Sequence, residues 1–320
     1  MIKVVTMGGG GGHAQVLKSL KHLTNVAITA ICPSTDSGGS TGILRRDYGA
    51  GGYLGDITKC LGALAVDEEL AAALAYRFGH GSLSGHSIRN ILLFGLEQTL
   101  TIDQALKKLS NIYQLKDHQV LPVTQDKTEL CASLQLGNKV VGEASIDQIA
   151  SNPLWNPSVH AIADIYLNPP VKAGPKVIKA LKEAEFIVVC PGDLYSSIIP
   201  TLLPQGIKKT IVGSSAKVIV FINIMTKKGE TDDYTASDFV TEIETKLGRP
   251  ADYIVCNNKP IPEEVALRYS LENKVVLNTI NEDLDPRAIM APLAVIDEHQ
   301  QIMSDPKVIY NVLTKIIKQK

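Results

Sequence analysis

Three stretches of this chain set backbone donors, hydroxyls and carboxylates at spacings that suit an anionic ligand. The first is Gly8, Gly9, Gly10, Gly11, Gly12 and His13, placed between an apolar run and a segment with helical periodicity. Glycine beside a regular element costs about 0.5–1 kcal/mol relative to alanine, so five together imply a backbone that must bend unusually or lie against something. A strand, a glycine loop and a helix start make an anion site, because unpaired N–H groups and the positive end of the helix dipole point to one place. Phosphate is the natural occupant. Two standard loops are excluded: a dinucleotide loop reads G-x-G-x-x-G, which from Gly8 and Gly10 puts its last glycine on His13, and a P-loop needs G-K-[ST], whereas the next lysine is Lys18. His13 reads either as a ligand contact or as a polar residue opening the helix.

The second stretch combines Asp36 with Gly38, Gly39, Ser40, Thr41 and Gly42. Hydroxyls and bare N–H groups suit phosphate oxygens, but a carboxylate among them repels phosphate unless it holds a cation or a ligand hydroxyl. Asp36 is therefore a metal or hydroxyl ligand, or an Asx-turn residue. Arg45, about one helical turn on, is placed to neutralise an anion. Asp56 follows a further glycine-rich approach and reads locally as an N-cap. The third stretch is Pro191, Gly192, Asp193, Leu194, Tyr195 and Ser196, a donor-rich turn after an apolar run; Asn223 ends the next run similarly. His86 and Asn90 lie four apart and share a helix face, with no third ligand nearby to make a zinc site.

Strands must carry these loops. Ile2–Thr6, Ile28–Cys32, Phe186–Cys190, Lys217–Ile222, Asp252–Cys256 and Lys274–Leu277 are short, apolar and β-rich, and most alternate with helical periodicity. The pattern predicts an α/β fold, a doubly wound, mostly parallel, Rossmann-like sheet, whose ligands bind at the carboxyl ends of the strands. Thr128–Leu136 and Lys139–Ile146 around Gly137-Asn138 predict a β-hairpin excursion. A cap at Thr235 and a stop at Gly248 frame one helix, and Asp305-Pro306 opens the last. With no low-complexity linker or repeat, residues 1–320 read as a single domain, with a helical and hairpin lobe around 60–170 beside a cleft.

The 320 residues are 45% hydrophobic and 20% charged with a formal charge of −1, which gives no global field for nucleic acid or an anionic membrane. No apolar run reaches the ~18 residues of a membrane span and the start lacks a signal-peptide pattern, so a cytoplasmic protein is expected. Five widely spaced cysteines without C-x-x-C spacing predict free, buried thiols.

Taken in order, "GGGGGH", "DSGGSTGILR", "GDITKCLGAL", "LSGHSIRNILL", "LPVT", "VVGEASI", "CPGDLYSSIIPTLL" and "NIMTKKGETDDYTASDFV" resemble the CofD-like family over roughly residues 2–258. That family holds 2-phospho-L-lactate transferases of deazaflavin cofactor synthesis and the YvcK-like proteins called gluconeogenesis factors. The second loop is closer to the YvcK-like D-D-G-G-S-S-G-R-L-R, with Ser37 for the second aspartate and Ile43 for the first arginine. Asp193 stands where the family has serine, Lys227-Lys228 where it has Gln-Pro, and Arg89 where it has glycine. The resemblance implies a nucleotide site built from the loop residues named above together with Thr226, and a cation or ligand hydroxyl at Asp36 and Asp56, with Mg²⁺ as the cation. In the YvcK-like branch the ligand is a UDP-sugar and the role regulatory, touching central carbon metabolism, cell shape and wall synthesis. In the transferase branch a guanylyl-activated phosphoacid, GDP- or GMP-like in its base, is transferred to a deazaflavin. Whether the chain catalyses a reaction stays open here, and a homodimer is admitted.

Overall fold

The computed structural model describes residues 1–151, 154–271, 274–277, 285–298 and 300–318. Its strands are, in chain order, β1 (Ile2–Met7), β2 (Val26–Cys32), β3 (Gln119–Pro122), β4 (Glu129–Leu134), β5 (Lys139–Val141), β6 (Ile162–Asn168), β7 (Phe186–Val189), β8 (Lys217–Phe221), β9 (Tyr253–Asn257), β10 (Ala288–Ala291), β11 (Ala294–Ile296) and β12 (Ile302–Ser304). Seven of them form one sheet in the order β3-β2-β1-β7-β8-β9-β10, parallel throughout. Strands buried on both faces read as continuous apolar runs, which is why "FIVV" and "KVIVF" show no alternation. Their side chains still alternate between two cores: Val4, Val188 and Phe221 belong to one, Val5, Val189 and Val220 to the other.

The order reverses at β1. The chain works outward from β1 through β2 to β3, then crosses back to place β7 on the other side of β1 and continues outward to β10. Loops leaving β1 and β7 therefore diverge and leave a crevice between them, the switch point at which doubly wound sheets bind ligands.

Helices α1 (Gly10–Leu20), α2 (Gly39–Tyr48), α3 (Leu54–Leu64), α4 (Glu68–Ala75), α5 (Ile88–Glu97) and α6 (Ile102–Ile112) precede β3, and α7 (Glu143–Asp147) follows β5. The expected helix after Thr235 is Ala236–Leu247, with Thr235 and Asp238 capping each other and Gly248 closing it at φ 81°. No helix among the described residues is long and apolar enough to cross a membrane. All five cysteines are free and buried.

Two local expectations need correction. The hairpin exists, but its second arm stops at Val141, because Gly142 at φ 96° turns the chain into α7; β6 then pairs with the free edge of β4, giving three antiparallel strands. Lys274–Leu277 is not a sheet strand. Its backbone is satisfied by the loop after β8, through Thr226 N–H to Val275 O at 2.8 Å and Leu277 N–H to Ile224 O at 2.9 Å, and β10 takes the last place in the sheet.

Candidate functional site

The crevice begins where β1 ends. Helix α1 starts at Gly10, and the first N–H groups of a helix have no partner within it. A Cβ on Gly12 would lie 2.1 Å from the carbonyl oxygen of Pro191, so only glycine lets α1 approach the loop after β7. At Gly11 a Cβ would meet nothing within 4 Å, and this residue opens onto the cleft. Asn223 clamps the opposite wall: its Nδ2 donates to Gly192 O at 2.6 Å and its Oδ1 accepts from Gly192 N–H at 3.1 Å. The cleft between these walls measures about 890 Å³ and is also lined by Thr226, Lys227 and the segment Gln301–Ser304. That volume falls within the usual range of small-molecule sites. Gln15, one turn into α1, lines the cleft with a buried Oε1 that lacks a hydrogen-bond partner among the described residues.

Three carboxylates gather beside the first turn of α1. Asp56 accepts from Gly10 N–H at 2.8 Å, and Asp36 accepts from Gly38 N–H at 2.9 Å. Glu143, at the start of α7, accepts from Ser37 N–H at 3.2 Å. Burial pushes the Asp56 carboxyl up to about 6, with Lys59 opposing and Asp36 adding to the shift. Burial and the neighbouring Asp36 push Glu143 up to about 8. Burial also raises Asp36, against the pull of Gly38 N–H and the Thr41 hydroxyl. Carboxylate oxygens are the donors a magnesium ion takes, and burial and mutual charge couple Asp36, Asp56 and Glu143, whereas the acids whose oxygens come within 4.8 Å of one another among the described residues are Asp147, Asp193 and Glu230.

A second set of acids is partly neutralised from within. Lys227 Nζ bonds to Asp147, to Asp193 at 2.7 Å and to Glu230 at 3.0 Å. Burial works against the ammonium, yet Glu230 and Asp193 outweigh it and hold Lys227 above the usual lysine range. Glu230, with its side chain 0% exposed, also accepts from the N–H groups of Tyr195 and Ser196 and from the Ser196 hydroxyl at 2.9, 3.2 and 2.7 Å. Helix α7 touches both acid sets, with Glu143 at one end and Asp147 at the other.

Not every predicted residue faces the cleft. His13 is 0% exposed, its ring nitrogens taken by the Thr6 hydroxyl and Gly8 O at 2.7 Å each, so it braces the loop from below. Asp56 does not cap its own helix; it lies in the first turn of α3 and caps α1 instead. Arg45 is consumed by Thr128 O and Glu129, and ties the second loop to β4. His86 bonds the Ser40 hydroxyl at 2.9 Å, and Asn90 the Thr58 hydroxyl at 2.6 Å, so they support α2 and α3 respectively. Leu194, Tyr195 and Ser196 are buried behind Asp193, where the Tyr195 hydroxyl pairs with Tyr234 at 2.7 Å. Gln15, Glu143, Asp147 and Glu230 were not singled out from sequence, and Lys227 only as a departure from the family pattern. Lys227 and Glu230 stood in a quoted motif, but their pairing depends on acids up to 80 residues away.

The profile of the family described as 2-phospho-L-lactate transferase CofD matches residues 4–293. A Thermotoga maritima protein bearing the gluconeogenesis-factor name is 36% identical over 296 residues, covering 92% of this chain and 91% of its own. The Bacillus subtilis protein named "Gluconeogenesis factor" is 33% identical over 276 residues, covering 85% of this chain and 83% of its own. A crystal structure of a UPF0052-family member from Bacillus halodurans superposes with a TM-score of 0.88 at 30% identity, covering 98% of this chain and 99% of that one. With the switch-point crevice and this match over nearly its whole length, the chain belongs to the CofD family, among the relatives named gluconeogenesis factors.

Proposed function

We propose that the crevice binds a uridine diphosphate sugar, and that the chain is a cytoplasmic regulator of central carbon metabolism, cell shape and wall synthesis. The observation that carries this reading is the start of α1, where Gly11 opens on a cleft large enough for a nucleotide sugar and no dinucleotide glycine spacing is present. The diphosphate would meet the N–H groups of that first turn, and Asn223 would hold the facing loop in register. Magnesium, held by Asp36 and Asp56, would screen charge between the diphosphate and the acids. Regulation of this kind needs no nucleophile.

A uridine diphosphate sugar is expected to raise the melting temperature more than NAD at equal concentration, since a ligand at about 100 Kd stabilises by ~2.7 kcal/mol. Equal or greater stabilisation by NAD would overturn the reading. Asp36→Asn should weaken Mg²⁺-dependent binding by at least ~1 kcal/mol while changing the melting temperature of the free protein little, because burial already favours the uncharged form. A variant that melts early yet binds normally would make Asp36 a turn residue only.

The crowded carboxylates also favour a second reading, Mg²⁺-dependent transfer from a guanylyl-activated phospholactate to a deazaflavin. Such transfer needs cations and alignment rather than a covalent intermediate. The acceptor would need an aromatic or apolar slot, and Tyr48, the aromatic in Gly38–Gly52, is 67% exposed and packs at a 52° tilt against Phe94. Release of guanosine monophosphate that depends on the deazaflavin would favour transfer; its absence, with the UDP-sugar still bound, favours the regulator.

A further inference from the structure

A second concavity lies between α1, α3, α4, α5 and the C-terminal helix Pro306–Lys318, and shares no lining residue with the crevice. We propose that this pocket is a separate binding site for a small organic phosphate that carries an apolar body. It measures about 960 Å³, within the range of small-molecule sites.

Charge is the first reason. Lys18, Lys59, Arg89 and Lys307 line the pocket, and none of their side chains has an ion-pair or hydrogen-bond partner among the described residues. The single carboxylate on the lining, Glu68, is already paired with Lys21 at 2.8 Å. In a chain of net charge −1 this is a local excess of positive charge on a concave surface.

Arg89 is the second reason. It stands where the family pattern has glycine, and its Nε is buried without a partner. Leaving a guanidinium N–H dry and unpaired is costly, and an anion in the pocket would satisfy it with charge-assisted bonds. Burial lowers its affinity for the proton, with Tyr113 and Cys60 opposing and Arg77 acting in the same direction as burial.

The floor supplies the third. Ala71, Ala72 and Ala75 of α4 face the pocket with Tyr310, and α4 has no buried residue at all. Small apolar side chains with a ring beside them suit an organic body, whereas inorganic phosphate would leave that surface wet.

Phenyl phosphate is the probe, titrated calorimetrically into the intact protein. One site is expected, at least tenfold tighter than for inorganic phosphate. The double substitution Arg89→Gln/Lys18→Gln should weaken binding tenfold or more. Ala72→Glu, which puts a negative charge into the floor without touching Arg89, should do the same. Gly11→Ala should leave it unchanged, which separates failure here from failure of the crevice reading. Unchanged affinity in both pocket variants would overturn the proposal, as would loss in Gly11→Ala or equal affinity for inorganic phosphate. Anionic lipid vesicles that bind the protein through Arg89 and Lys18, with no binding of phenyl phosphate, would also overturn it and make the surface a membrane contact.

Discussion

Lys227→Gln is expected to destabilise the protein by roughly 3–5 kcal/mol, the range for removing one partner of a buried ion pair. The ammonium answers three carboxylates at once, and one of them, Glu230, has a side chain 0% exposed to solvent. Without it the Glu230 carboxyl, already raised by burial, rises further, which favours its protonated form in the folded state. A group whose folded pKa lies above its unfolded value near 4.3 contributes stability below that value and loses it as pH rises toward the folded pKa. The deficit of the variant should therefore be larger at pH 8 than at pH 5, read from denaturant midpoints at each pH. The double substitution Asp193→Ser/Lys227→Gln, which adopts the family pattern at both places, should recover part of the loss, with a coupling of about 0.5–3 kcal/mol. A deficit in Lys227→Gln below ~1 kcal/mol, or simple additivity in the double variant, would show that water rather than Lys227 satisfies these acids.

Gly12→Ala should be the most damaging substitution in the glycine loop. The new Cβ would sit 2.1 Å from the Pro191 oxygen, and neither side of that contact is a movable side chain. Separating α1 from the loop after β7 should cost about 1–3 kcal/mol, as overpacking does, and also widen the crevice so that nucleotide binding falls. Gly11→Ala makes the opposite prediction. It meets no atom within 4 Å and its φ is not in the left-handed region, so stability should be kept or slightly raised. Binding of the UDP-sugar should nevertheless drop tenfold or more, since the methyl would occupy the place of the diphosphate. Full binding by Gly11→Ala would remove the phosphate from the start of α1.

Much of this arrangement is legible in the residues themselves. A β-rich run, five glycines and helical periodicity foretell β1, its loop and α1, and the polar loops around Asp36 and Asp193 do follow strands, whereas the glycine-rich stretch before Asp56 joins α2 to α3. What cannot be read is which strand ends are neighbours. The crevice exists because β7, nearly 180 residues from β1 in sequence, pairs beside it. Neighbouring chain likewise misassigns Asp56, whose partner Gly10 lies 46 residues back and belongs to another helix. Polarity misplaces His13, since a histidine is buried cheaply once Thr6 and Gly8 satisfy both ring nitrogens. Arg45 suggests an anion contact by type, but Thr128 and Glu129, remote in sequence, take its guanidinium.

The Lys227 cluster also restricts the path by which this sequence can have left the family pattern. Suppose serine stood at position 193 and glutamine at 227. Acquiring Asp193 first would set a new carboxylate near a buried Glu230 with no cation between them, an unfavourable like-charge step. Acquiring Lys227 first would give Glu230 and Asp147 a shared counter-ion, and the later Asp193 would then enter an attractive field. On electrostatic grounds the two departures have a preferred order, lysine before aspartate, softened by the 45% exposure of the Asp193 side chain.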